Sequence, residues 1–318
     1  MKKMNYINNL IVILIVLLTE ISNSIGDHRF GYNRPDQRRW SKKHNHCAGK
    51  MQSPIALSTS RAIPIPMPAI EFVGYHNLLP APLKLVNNGH TVILHIPRLT
   101  DTEIEMGEFL PFIYGGKLEG HYEIESLHFH WGDKNNRGAE HLINDIRYAM
   151  EMHIVHRNKK YASLGEALEY SDGVAVLGFF YALDENEGEQ LHQIVKNLNK
   201  IPNPEDFTLL NSTFALSSLF ANIDDNRFYT YRGSLTTPPC SEAVTWVLFP
   251  DPIPISTSQI SKFRHLHSSL EGSVLVDNFR SVQPIGNRRI FLRKINIKNT
   301  PNTLIDNDIH YSKWDWLY

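Results

Sequence analysis

The sequence predicts a mainly β, α+β chain, folded as a single domain around one large sheet. Three observations carry that prediction. Strand-like runs recur at short intervals, amphipathic helical stripes are scarce, and no repeat, linker or shift in composition divides the chain. Its 318 residues would fit one large domain or two small ones. Hydrophobic residues make up 42% and charged residues 20%, as in an ordinary folded globule rather than a disordered chain.

The strand-like runs are residues 83–86, 91–96, 122–129, 148–156, 174–181 and 243–249. The stretch Val174-Ala175-Val176-Leu177-Gly178-Phe179-Phe180 is almost continuously apolar, which predicts a central strand covered on both faces. Prolines crowd residues 62–82 and predict loops and edge segments there. Two helices are expected, both packing over the sheet. Residues 187–201 place Leu191, Ile194, Val195 and Leu198 on one stripe. Residues 256–270 space Ile260, Phe263 and Leu270 at helical intervals, with Ser256 or Thr257 as the cap. Residues 27–51 read as an ordered but irregular arm.

The formal net charge is -1, and no basic stripe is visible along the chain, so no nucleic-acid partner is expected. Met1-Lys2-Lys3 is followed by an apolar run over residues 10–18 and by Ser22-Asn23-Ser24. That is the layout of a secretory signal peptide over residues 1–24. The run is too short to span a bilayer, so a secreted chain without stable membrane insertion is expected. Two cysteines, Cys47 and Cys240, then read as a disulfide rather than as two inert thiols. A bridge closing so long a loop contributes on the order of 5 kcal/mol in the chain-entropy treatment. Asn211-Ser212-Thr213 is the only sequon for N-glycosylation with a permitted middle residue.

The chemistry centres on Leu127-His128-Phe129-His130-Trp131. Side chains alternate along a strand, so His128 and His130 point one way and Phe129 points the other, into core. On the run at 150–156, Glu151, His153 and Val155 likewise share a face. A His-x-His pair alone is usually two hydrogen-bonded histidines. Three imidazoles on neighbouring strands instead match three corners of a zinc tetrahedron, with the fourth open for water as in catalytic sites. Glu151, two residues before His153, is placed to accept its other ring N–H and fix the tautomer.

Further motifs stand in order around this core. They are Gln52-Ser53-Pro54-Ile55, Asn87-Asn88-Gly89-His90, Gly138-Ala139-Glu140-His141 and Ser234-Leu235-Thr236-Thr237-Pro238-Pro239-Cys240-Ser241-Glu242. With them the chain resembles the α-class carbonic anhydrases of the secreted type, from about residue 30 to residue 293. The resemblance implies a catalytic domain over 27–293; residues 294–318, which lie beyond it, read as a polar tail. It implies a large, central, twisted, mostly antiparallel sheet with a few short surface helices, in a monomer. The implied enzyme is a zinc lyase, carbonate dehydratase, that reversibly hydrates carbon dioxide to bicarbonate and a proton by attack of zinc-bound hydroxide. His128, His130 and His153 would hold Zn(2+), with Glu151 orienting His153. Thr236 would accept a hydrogen bond from the hydroxide and donate its own to Glu140, and its backbone N–H would receive the substrate oxygen. Thr237 would line the polar side of the pocket. Val155, Val176, Leu235, Val244 and Trp246 would form the apolar wall. His90 would be the proton shuttle. Cis bonds are implied before Pro54 and Pro239.

Several positions depart from the family pattern. Ser126 stands where a Gln usually supports the first zinc ligand, and Leu127 replaces an aromatic residue. Ile93 takes a pocket position that is often polar and Thr91 one that is often small. Phe30 replaces a Trp near the shuttle. Two other functional classes, a metal-free binding module and a matrix protein of mineral deposition, fit less well. The three histidines, Glu140 and Thr236 are all present, and no low-complexity insert is visible.

Overall fold

The structure, a computed structural model, describes residues 30–185, 188–221, 223–270 and 272–294. The expected signal peptide and all of the tail after Lys294 lie outside the described residues. Every element named below belongs to the compact unit that begins at Tyr32.

Fourteen strands form among the described residues. They are β1 (Ala56–Leu57), β2 (Ile63–Ile65), β3 (Ile70–Val73), β4 (Lys84–Asn87), β5 (Val92–His95), β6 (Phe112–Gly115) and β7 (Tyr122–Trp131), then β8 (Leu142–Ile143), β9 (Met150–Asn158), β10 (Val174–Leu183), β11 (Phe207–Leu209), β12 (Tyr229–Gly233), β13 (Val244–Ile255) and β14 (Phe291–Arg293). Twelve of them make one sheet, whose main path runs β11-β4-β5-β7-β9-β10-β13-β12-β14-β2, with β6 and then β3 paired off β7. Most ladders are antiparallel. The pairs β10–β13 and β14–β2 are parallel, which makes the sheet mixed. The fold is therefore the mainly β domain the sequence predicts.

All six expected strands form. The apolar run at 174–183 is β10, at the middle of the sheet, with its first eight residues buried. Alternation along the strands separates two apolar clusters. One takes Leu94, Leu127, Phe129, Met152, Ile154, Leu177 and Phe179. The other takes Val155, Val176, Val244, Trp246 and Leu248. All of β9 is buried, because it has a covered sheet face on each side.

The helices differ more from expectation. Residues 27–51 include a real helix, α1 (Arg34–Lys43). Asn33 caps it by accepting from Asp36 N–H at 2.8 Å, Pro35 sits in its first turn, and Lys42 and Lys43 lie in its last. Trp40 is its one buried residue, too few for an apolar periodicity to show. Its exposed side carries Arg34, Arg38, Arg39, Lys42 and Lys43, a local basic face not evident along the sequence. After the short α2 (Asp101–Glu105) and α3 (Leu164–Ala167), the helix expected at 187–201 is broken into a 3-10 turn, α4 (His192–Val195) and another 3-10 turn. Leu191, Ile194, Val195 and Leu198 are still buried as expected. Asn197 accounts for part of the break, since its side chain donates to the Gln193 carbonyl at 2.9 Å in competition with the backbone.

The last helix, α5 (Thr257–Arg264), has Ser256 as cap in a capping box with Gln259. It stops at Arg264 and not at 270, because the chain then turns through Ser268, whose hydroxyl accepts from Leu270 N–H at 3.2 Å. Its Phe263 packs on Phe129 and Trp131, with ring centroids 5.4 and 5.2 Å away. This fixes the back of the strand that carries His128 and His130.

Candidate metal centre

Register brings the three histidines together. His128 on β7 lies directly opposite His153 on β9, and His130 lies opposite Glu151. Ring centroids are 5.1 Å apart for His128 and His130, 5.1 Å for His128 and His153, and 4.7 Å for His130 and His153. One nitrogen from each ring falls within 4.8 Å of the others.

Hydrogen bonds fix two of the tautomers. His153 Nε2 lies 2.7 Å from Glu151 Oε1, so Nε2–H donates and Nδ1 keeps its lone pair. His130 Nδ1 donates to the Asn278 carbonyl at 2.7 Å, which leaves the lone pair on Nε2. That Nε2 is buried and has no hydrogen-bond partner among the described residues. His153 Nδ1 faces His128 Nε2 at 3.3 Å. Burial pushes His128 well below the usual imidazole range, reinforced by its two neighbours, pushes His130 down to about 4, and lowers His153. At neutral pH the cluster is thus three uncharged imidazoles with converging nitrogens, the donor set a zinc ion takes.

A second histidine cluster is already satisfied from within. His141 Nδ1 also donates to Glu151 Oε1, at 2.7 Å, and Glu151 Oε2 accepts the backbone N–H groups of Glu140 and His141, each at 2.8 Å. Four donors fill the carboxylate. Burial alone would raise Glu151, but His141 and His153 outweigh it and hold the group well below the ordinary carboxylate range. It stays ionised as the anchor of His153.

Glu140 behaves in the opposite way. It is fully buried, its Oε1 accepts from Arg280 N–H at 2.7 Å, and its Oε2 has no closed hydrogen bond 3.5 Å from His130 Nε2. Burial raises it to about 7, with Glu151 adding to the rise and His153, Arg280 N–H and the nearby Thr236 hydroxyl tempering it. Thr236 is buried in the loop after β12. Ser234 N–H donates to Ser53 Oγ at 3.1 Å, Ser53 N–H to Ser234 Oγ at 2.9 Å, and Leu235 N–H to the Ser241 carbonyl at 3.0 Å. Cys240 closes the loop with a positive φ of 62° and the disulfide to Cys47, whose Cα atoms are 4.9 Å apart. Peptide bonds before Pro54 and Pro239 are cis, as the resemblance implied, and so is the bond before Pro82.

The apolar wall also assembles. Val155 pairs with Val176 across β9 and β10, Val176 pairs with Trp246 on β13, and Val244 and the partly buried Leu235 join the same cluster. The Trp246 ring sits 4.8 Å from His153. His90 has 7% of its surface exposed, and its ring meets Tyr32 edge-on at 6.4 Å. Thr91 turns its hydroxyl onto the β7 backbone at Phe129 and serves as a strand clip. Ile93 pairs directly with His128. No hydrogen bond joins Ser126 to His128 among the described residues.

The model of the eukaryotic-type carbonic anhydrases matches residues 35–294. The chain belongs to that family. It is 34% identical to carbonic anhydrase 7 of Mus musculus over 271 residues, which are 83% of this chain and 96% of the relative. It is 35% identical to carbonic anhydrase 3 of Bos taurus over 261 residues, 81% and 94% of the two chains. It is 34% identical to carbonic anhydrase 15 of Mus musculus over 259 residues, 79% and 78% of the two chains. As a carbonic anhydrase it is a carbonate dehydratase, acting on carbon dioxide and bicarbonate.

Sequence reasoning missed several residues of this carbonic anhydrase site. Asn278 is fully buried. Its side chain accepts from Trp131 N–H at 2.7 Å and donates to the His90 and Phe129 carbonyls at 3.0 and 3.2 Å. Arg280 donates from its guanidinium to Gln52 Oε1 and the Ser53 carbonyl, both at 2.8 Å, tying the first motif to the carboxylate side of the pocket. Tyr231 supports His141 Nε2 at 2.7 Å. None of these stands in a local pattern that names its partner. Only His141, inside the Gly138–His141 motif, carried any local signal.

Proposed function

We propose that the chain hydrates carbon dioxide reversibly to bicarbonate and a proton, with zinc held by His128, His130 and His153 and with His90 relaying the proton. The observation that carries this is the unpartnered, buried His130 Nε2 converging with the nitrogens of two other neutral imidazoles. When bound there, zinc supplies a Lewis acid that lowers the pKa of water to about 7, a figure taken from the general behaviour of this enzyme class.

The chain's own residues do the rest. Thr236 sits beside Glu140 and donates its hydroxyl hydrogen bond to that carboxylate, so its oxygen is left to accept from the attacking hydroxide and aim a lone pair at substrate. Among the described residues the Thr236 backbone N–H has no backbone acceptor, and in this reading it donates to the substrate oxygen. Val155, Val176, Leu235, Val244 and Trp246 hold a small uncharged molecule that offers little to hydrogen-bond, and Thr237 lines the polar side. His90 takes the proton released in each cycle, imidazole being the side chain best suited to relay protons. The Cys47–Cys240 bridge fits an oxidising compartment, in agreement with export of the chain. Working as a monomer is part of the same reading.

The test is His130→Ala. After dialysis the variant retains little zinc by metal analysis and loses nearly all carbon dioxide hydration in stopped flow. Full zinc content with unchanged turnover would refute the assignment.

A further inference from the structure

The sequon Asn211-Ser212-Thr213 plays no part in the metal centre, yet its position is distinctive. It follows directly on β11, the strand at one end of the sheet's main path, which pairs with β4 alone. Among the described residues the far side of β11 has no strand partner, the kind of edge that templates pairing with another chain. That edge is also apolar. Phe207 and Leu209, two apart and so on one face, are 57% and 49% exposed, and Leu78, bridged to Ala215 just beyond the sequon, is 70% exposed. Lys84 shields only part of it, with its ammonium 4.4 Å from the Phe207 ring centre. Asn211 stands between these groups, exposed and with no side-chain hydrogen bond among the described residues. The segment after it is pinned, because Thr213 Oγ1 donates to the Leu79 carbonyl at 2.6 Å and Leu79 N–H to the Phe214 carbonyl at 3.1 Å.

We propose that Asn211 carries an N-linked glycan, and that the glycan covers the apolar β11 edge and keeps it from pairing with a second copy of the chain. The proposal rests on the reading of the chain as exported. The donor is a lipid-linked oligosaccharide pyrophosphate. A bond forms between Asn211 Nδ2 and the anomeric carbon, the bond from that carbon to the pyrophosphate oxygen breaks, and the amide proton leaves with the lipid pyrophosphate. The product is bulky, hydrated and confined to the surface.

The experiment uses the full chain expressed in a eukaryotic host, with medium and cells assayed separately. Release by peptide N-glycosidase in heavy-oxygen water should convert Asn211 to labelled aspartate in most secreted molecules. Secreted chain with an unmodified Asn211 overturns the glycan and leaves export standing. Chain retained in the cells with a bare Asn211 overturns both. For the covering role, Asn211→Gln should raise the sedimentation mass on the order of twofold at concentrations where the glycosylated chain is monomeric. Adding Leu209→Lys should bring it back. An unchanged mass in Asn211→Gln overturns the covering role.

Discussion

His156 offers a quantitative handle on how the site-bearing strand is stabilised. It lies three residues beyond His153 on β9 and on the opposite face, fully buried. Its ring stacks 6.2 Å from Tyr75, and its Nε2 is hydrogen-bonded to the Tyr75 hydroxyl. Burial pushes it down to about 3, against the pull of the nearby Ile154 and Ala175 carbonyls. In the unfolded chain the same ring titrates near about 6.5. Between those values the unfolded state binds more protons, so stability rises with pH across the window. The contribution is complete above about pH 6.5 and is lost progressively as pH falls toward about 3. At about pH 5 the unfolded chain gains RT ln(1 + 10^1.5), about 2 kcal/mol, while the folded ring gains almost nothing. His156→Phe removes this slope. Its other cost, the unpaired Tyr75 hydroxyl, is the same at both pH values and cancels. Urea unfolding at about pH 8 and about pH 5 should therefore show the stability difference between the two conditions shrinking by about 2 kcal/mol in His156→Phe. An unchanged difference would mean that His156 is protonated or solvated in the fold, and the reasoning fails.

Three other predictions follow from the geometry. His90→Ala should lower kcat in dilute buffer, keep kcat/KM nearly intact and recover much of the loss with added imidazole; equal losses in both without rescue would make His90 structural. Gly178→Ala places a Cβ 2.3 Å from Leu248 Cδ2 and 3.4 Å from Glu151 Oε1, so denaturant unfolding should show a loss of about 1–3 kcal/mol together with easier removal of zinc by chelators. Replacing both Cys47 and Cys240 by Ser opens a cross-link between residues 193 apart in sequence and should cost about 2–5 kcal/mol in the same assay.

The parts of this fold legible in the sequence are those governed by a short local period. Two-residue alternation fixes which faces His128, His130, Glu151, His153 and Val155 occupy, and the apolar run of β10 announces its own burial. Strand β11 has three residues and β14 has three; their place depends on the partners they meet, not on a pattern of their own. Helix α1 hides because only Trp40 is buried on it, so its signal lies in the Asn33 cap and not in periodicity. Asn278 was invisible for a different reason. It sits 147 residues from the Trp131 N–H it receives, and only the closing of the whole sheet brings them together.

The direction of the hydrogen bonds shows why so many polar side chains can be buried beside one another. Glu151 accepts only, so His153 Nε2 and His141 Nδ1 must both be donors to it. His141 Nε2 is then an acceptor and accepts a hydrogen bond from the Tyr231 hydroxyl at 2.7 Å. The Tyr231 oxygen in turn accepts from Ser53 Oγ at 2.9 Å, and Ser53 Oγ accepts from Ser234 N–H at 3.1 Å. Every link donates toward the carboxylate, and none meets its neighbour donor to donor. A chain with one direction polarises cooperatively, whereas a single reversed link would leave a buried group unpaired at a cost of about 1–3 kcal/mol. The same chain begins at Ser234, in the loop that carries Thr236 and is closed by Cys240, and ends at Glu151, into which His153 donates from the other side. The loop beside the substrate pocket and the ligand on β9 are thus positioned by one continuous set of bonds. The alternation of β9 leaves its other face free to spend Met152, Ile154 and His156 on the core.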